Sequence, residues 1–188
     1  DEIAEVLDLR GVSLAVNVTR HALTLSCNCL SEDFEAIMAL LGDIVRDPGC
    51  PDVEVDTRRG EILTSIRQDD DNPAVKAVER LMTSLYGETH AYGRPPKGTA
   101  ATVERIDRRA LIDFHQARVA PSALSMAVVG DVSAGAAVEA VSCVFGDWQA
   151  TPRPAASLAP TDQAVTRRRT VLPMMNKSQA DIAYGFTT

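Results

Sequence analysis

The sequence predicts a layered α+β fold, in which paired strands alternate with runs of helix and regular strand–helix–strand units are missing. Three observations carry this reading. Residues 13–18 and 22–27 alternate apolar and polar side chains on either side of Thr19-Arg20-His21, the pattern of an antiparallel pair with one face on the core. Helical periodicity takes over from Ser31 to Tyr86. Leu124-Ser125-Met126-Ala127-Val128-Val129 is the best candidate for a buried strand, closed by Gly130-Asp131.

The elements follow in order. Ile3, Val6 and Leu7 recur at helical spacing, and Gly11 stands where a helix stops. After the strand pair, Ser31-Glu32-Asp33-Phe34-Glu35 has an N-cap signature. It opens a helix whose stripe is Phe34, Ile37, Met38, Leu41, Ile44 and Val45, ended by Asp47-Pro48-Gly49. A second helix runs from about Pro51 to Asp69 with sparse apolar positions, and Asp69-Asp70-Asp71-Asn72-Pro73 breaks it. A third covers residues 73–86 and ends at Gly87. Residues 87–100 are rich in turn formers and read as a loop. Short helices are expected at 101–106 and 107–118, the second capped by Asp107. Ser133 caps another that reaches Phe145-Gly146. Pro152, Pro154 and Pro160 mark residues 151–165 as a linker, beyond which 166–172 and 180–186 read as strands.

With 188 residues, 45% hydrophobic and 24% charged, the chain is long enough for one domain and part of a second. A net charge of -7 gives no basic footprint for nucleic acid or anionic lipid. No apolar run approaches the roughly 20 residues of a membrane span, and the acidic start is not a secretory n-region. Only eight residues are aromatic, so Ala, Val, Leu and Ile must build the core. The four cysteines do not form a disulfide framework. On a strand, Cys27 and Cys29 lie ~7 Å apart, at the limit for a bond, and no second pair accompanies them to bind metal.

Residue chemistry alone points to no catalytic site. His21, His90 and His115 are scattered, and none takes part in HExxH or HxxEH. Gly-x-Ser-x-Gly is absent, and the glycines at 87, 93 and 98 do not make a phosphate loop. Asp69-Asp70-Asp71-Asn72 lacks the glycine and distal glutamate of a calcium loop and reads as a solvated helix end. Arg167-Arg168-Arg169 reads as an edge kept from pairing by its charge.

The order of segments carries more than any single residue. Ile62-Leu63-Thr64-Ser65-Ile66 precedes Asp71-Asn72-Pro73. Then come Tyr92-Gly93-Arg94-Pro95 with Gly98, Leu111-Ile112-Asp113-Phe114-His115, Val128-Val129-Gly130-Asp131-Val132 and Phe145-Gly146-Asp147-Trp148. Over nearly the whole chain this succession resembles the M16 zinc metallopeptidases, the family of pitrilysin, insulin-degrading enzyme and the mitochondrial processing peptidases. The resemblance implies a LuxS/processing-peptidase-like lobe, mainly antiparallel sheet covered by helices on one face. It places that lobe, N-terminally truncated, at residues 1–150 and the first strands of a following lobe at 166–188.

Active members hold zinc through HxxEH on an early helix and a later Glu, and the motif's own Glu is the general base. HxxEH does not occur here, and its expected place falls before residue 1. The resemblance puts Ser65 at the later Glu ligand and Arg58 at an earlier acidic position. A shift of one turn would make Glu61 the ligand, at the cost of the Ile62-Leu63 match. The chain itself is therefore expected to hold no metal and no catalytic residue, with zinc only in a partner. The implied role is a noncatalytic domain that closes with a catalytic M16 domain or subunit around a peptide. Two alternatives stay open: a fragment of an active zinc endopeptidase whose HxxEH lies upstream, and a scaffold subunit. No substrate-binding residue is carried over, and Tyr184 and Arg169 are given no such role. Bacterial relatives occur in both cytoplasm and periplasm, so the compartment stays open.

Overall fold

The computed structural model describes residues 2–149 and 167–186. The predicted linker at 151–165 lies outside the described residues. The elements are α1 (Glu2–Leu9), β1 (Ser13–Val18), β2 (Leu23–Asn28), α2 (Phe34–Arg46) and α3 (Asp52–Asp70). They continue with α4 (Pro73–Tyr86), α5 (Ala100–Val103), α6 (Arg108–Arg118) and α7 (Ala134–Phe145). The described residues form two compact units: residues up to Cys50 with those from Arg108 to 149, and residues 51–107 with 167–186.

In the first unit, Gly11 follows α1 at φ +61°, a left-handed conformation that favours glycine. β1 and β2 then pair antiparallel, with Ser13 opposite Asn28 and Val18 opposite Leu23. Thr19 closes the hairpin. Its N–H donates to the Ala22 carbonyl at 2.9 Å, and its Oγ1 accepts the His21 and Ala22 amides at 3.2 and 3.1 Å. The register sets Leu14 against Cys27, Val16 against Leu25 and Val18 against Leu23 on one face. That face is only half covered: Leu14, Leu25 and Cys27 are half-buried, but Val16, Val18 and Leu23 are exposed.

α2 is entered through a 3-10 turn at Ser31–Asp33, and neither the turn nor the helix has a side-chain cap. The expected cap is therefore corrected; the Asp33 carboxylate accepts from Arg10 instead. Ile37 and Met38 on α2 and Phe145 on α7 are buried. The two helices meet at Gly42, where a Cβ would run into the Val144 side chain. Arg46 closes the contact, donating to the Val144 carbonyl and pairing with Asp147 at 2.8 Å. α6 is fastened to the far end of α2. His115 Nε2 lies 2.8 Å from the Val45 carbonyl, and Arg108 donates to the Gly49 and Cys50 carbonyls at 3.0 and 2.9 Å.

The strand expected at 124–129 does not form. The segment has no ladder, and Leu124, Met126, Val128 and Val129 are exposed, Val129 at 96%. Residues 167–172 and 180–186 likewise run without strand pairing. An apolar run signals a tendency to be buried, whereas a strand needs a partner's N–H and C=O groups. Among the described residues only β1 and β2 supply that partnership to each other. The α+β class holds, but its sheet reduces here to one hairpin.

In the second unit, the Asn72 side chain caps α4 by accepting the Ala74 and Val75 amides at 3.1 and 3.4 Å, with Pro73 in the first turn. α4 ends at Gly87, φ +80°, and Gly93 packs directly on the Gly87 carbonyl, leaving no room for a side chain. Thr99 and Thr102 form a reciprocal capping box around α5, and Val103 is buried with Ile66 of α3. Arg59 of α3 pairs with Asp56 at 2.6 Å and donates to the Ile106 carbonyl at 2.9 Å. Residues 167–186 come back to α4, where Gly185 faces Leu81 and Leu85.

The α2–α7 contact makes the sign of one substitution decisive. At an open helix position Gly→Ala stabilises by up to about 1 kcal/mol, but Gly42→Ala is expected to destabilise by about 1–3 kcal/mol through overpacking against Val144. Urea unfolding of Gly42→Ala, alone and with Val144→Ala, checks this: the second change should recover most of the loss.

Candidate functional site

Arg58, Glu61, Ser65 and Asp69 follow one another along α3 at intervals of three and four residues, so they share one strip of the helix. Arg58 Nη1 donates to Glu61 Oε2 at 2.7 Å. One turn on, Lys97 Nζ donates to Ser65 Oγ at 2.7 Å and to Asp69 Oδ2 at 2.6 Å. The strip thus brings together all three positions that the sequence singled out, Arg58, Glu61 and Ser65. It adds Lys97, which sequence reasoning left in a polar loop.

This arrangement does not fit a zinc ion. A hydroxyl is a weak ligand beside the thiolates, imidazoles and carboxylates that zinc prefers, and here its oxygen already accepts from an ammonium. Glu61, the one-turn alternative, is engaged by Arg58. Two fixed positive charges therefore stand where a divalent cation would need negative ligands. Among the described residues, no group of three or more His, Cys, Asp or Glu is placed to hold a metal ion. Nor does the strip suit nucleophilic catalysis. An ammonium that donates to both Ser65 and Asp69 has no lone pair with which to take the hydroxyl proton.

The three histidines are placed apart in role. His21 sits in the hairpin turn and His115 ties α6 to α2. His90 is buried between Tyr86, stacked at 5.3 Å, and Tyr92, and its Nδ1 accepts the Tyr92 amide at 3.1 Å. The four cysteines are free. Burial, helped by neighbouring Cys29, pushes the Cys27 thiol upward, which disfavours the thiolate that metal binding or nucleophilic attack requires.

The run Asp69-Asp70-Asp71 is not simply solvated. Asp69 pairs with Lys97, Asp70 with Lys76 at 2.9 Å, and Asp71 with Lys177 at 2.8 Å. A signal for this existed in the sequence: carboxylates at a helix C-terminus face the negative end of the helix dipole and call for cations. Which cations answer is a tertiary matter. Lys76 also bonds Glu79 at 2.9 Å. Hydrogen bonds to Glu79 first, and to Asp70 next, hold its ammonium above the ordinary lysine value of 10.5.

Two predictions follow from these pairs. Lys97→Met should cost at most about 1 kcal/mol, the scale of an exposed ion pair, and Lys97→Arg should recover much of it in urea unfolding. For Lys76 the folded pKa is raised, so its stabilisation is complete below pH 10.5 and lost as pH climbs through the raised value. The advantage of the native chain over Lys76→Met, about 1 kcal/mol or less, should hold from neutral pH to about 10 and fall away only above 10.5, as pH passes the raised value, measured by unfolding across that range.

The family model described as Insulinase (Peptidase family M16) matches residues 1–99, and that described as Peptidase M16 inactive domain matches residues 105–188. An uncharacterized zinc protease of Mycobacterium leprae is 29% identical over 145 residues, 77% of this chain and 32% of that protein. One from Mycobacterium tuberculosis is 26% identical over all 188 residues, which make up 43% of its own length. The chain thus spans well under half of these curated relatives. Among solved structures, a peptidase M16 inactive domain from Pseudomonas fluorescens superposes with a TM-score of 0.78 at 23% identity, covering 85% of this chain and 39% of that one. The first half of the periplasmic protease PqqL from Escherichia coli superposes at 0.72 with 19% identity, covering 86% and 36%. The fold is that of the M16 peptidase domains, and the chain belongs to peptidase family M16.

Proposed function

We propose that this chain is a noncatalytic M16 domain that pairs with a catalytic M16 domain, on the same chain or as a separate subunit, and closes with it around a peptide substrate. The observation that supports this reading best is the strip on α3. Where the family resemblance puts a carboxylate ligand there is Ser65, and the cation beside it is the ammonium of Lys97. The match of residues 105–188 to the inactive-domain model agrees with it. So does the likeness to one half of a longer periplasmic protease. Zinc would belong to the catalytic partner and act there, polarising the scissile carbonyl and activating water.

A second reading has one observation in its favour: the mycobacterial relatives are named zinc proteases. In it the chain is part of an active zinc endopeptidase whose HxxEH lies upstream and whose last ligand is Glu61 or a residue elsewhere. The two readings differ in the metal, and because the second puts HxxEH upstream, the test is made on the chain extended upstream through that helix. After dialysis the extended chain should carry far less than one zinc by elemental analysis, cleave no peptide by itself and show no HxxEH in its sequence. Stoichiometric zinc on an upstream HxxEH would establish the second reading, and its loss on Glu61→Gln would make Glu61 the last ligand.

A further inference from the structure

Every lysine of this chain ends in the same place. The sequence has three, Lys76, Lys97 and Lys177. Their ammonium groups lie 2.9, 2.6 and 2.8 Å from Asp70, Asp69 and Asp71, three successive carboxylates at the C-terminal end of α3. The lysines come from separate segments: α4, the loop before α5, and residues 167–186. The same sequence has sixteen arginines, yet each of these three carboxylates pairs with a lysine.

Three adjacent carboxylates repel one another and face the negative pole of the helix, so each gains from an external cation. Lys177 contributes more than charge. It lies 106 residues beyond Asp71, and its pair is the ionic tie between residues 167–186 and the helices they meet. An apolar contact accompanies it: Gly185 lies close enough to α4 that a Cβ there would stand 3.3 Å from Leu81 and 3.5 Å from Leu85, and Met174, Asp181 and Ala183 are half-buried as well. Asp71 is 80% exposed while Lys177 is only 24% exposed, so dissolved salt reaches the pair from the carboxylate side.

We propose that the acidic end of α3 is an electrostatic clasp that holds residues 167–186 on α4, so that the docking of this segment is set by ionic strength. Undocking separates Lys177 from Asp71 and Gly185 from Leu81 and Leu85 together. Neutralising the carboxylate at 71 must therefore be felt at residue 185, on the other contact.

Nuclear magnetic resonance on the full chain tests this. Methyl shifts of Leu81 and Leu85, and their cross-relaxation with the Gly185 α protons, report the docked population. Asp71→Asn should lower the docking equilibrium about two- to five-fold, the scale of one exposed ion pair. About 0.5 M salt, where screening acts within about 4 Å, should do the same to the native chain and little further to Asp71→Asn. The charge exchange Asp71→Lys with Lys177→Asp should restore docking, since a cation at the end of α3 also suits the dipole. Unchanged Leu81 and Leu85 signals in Asp71→Asn and at high salt would overturn the proposal. Failure of the charge exchange to restore what Asp71→Asn loses would overturn it as well, by tracing the loss to local distortion.

Discussion

The second unit depends on how the negative end of α3 is neutralised. A helix that stops on three aspartates works against its own dipole, and the cost grows with each carboxylate that lacks a partner. Here each has one, and each partner is delivered by a different stretch of chain. The segments around the helix end are thereby fixed by a local electrostatic need. Individually such pairs contribute little, at most about 1 kcal/mol when exposed. They add to a thin apolar core: among the described residues of this unit Ile66 and Val103 are the buried hydrophobic side chains, and Leu81, Leu85 and Tyr86 are half-buried.

The first unit is held differently. Its buried side chains cluster where α2 faces α7, and closeness there comes from the missing side chain at Gly42. Arg46 and His115 then use carbonyls at helix ends as acceptors, which satisfies groups that a helix leaves without partners of its own. Away from that contact the unit presents apolar surface. The outer half of the hairpin face and residues 124–129 carry Val and Met side chains that the described residues leave uncovered.

Helix limits were legible because their signals are local. Asn72-Pro73 and Gly87 bracket α4 to the residue, Ser133 caps α7 by accepting the Ala136 N–H at 3.2 Å, and Gly11 ends α1. Strand formation was legible only where two strands adjoin in sequence, as in the hairpin; at 124–129 the pattern described the side chains correctly and the pairing not at all. Ser31 failed as a cap for a different reason. The chain enters α2 through a 3-10 turn that contains Ser31, so the cap position falls on Leu30, which has no side-chain acceptor. The candidate strip was half legible. Arg58, Glu61 and Ser65 were singled out by the family resemblance, while Lys97 enters from 32 residues away, a distance that no periodicity spans.

In the noncatalytic reading proposed above, where Ser65 stands at the position of a carboxylate ligand, Lys97 matters more than the missing carboxylate. Replacing a carboxylate ligand by a hydroxyl removes one donor, and a metal site can survive with water in its place. Adding an ammonium that bridges Ser65 and Asp69 goes further, because it places a full positive charge within 2.7 Å of the very oxygen that would have to face the ion. Asp69, the nearest carboxylate on the strip, pairs with the same lysine, and Glu61 pairs with Arg58. A glutamate introduced at 65 would therefore leave Lys97 and Arg58 in place along the strip. Positive charge is supplied by the chain itself, through side chains that also tie the loop to the helix. On this helix the structural role and the metal-binding role exclude each other, since the same carboxylates cannot serve both.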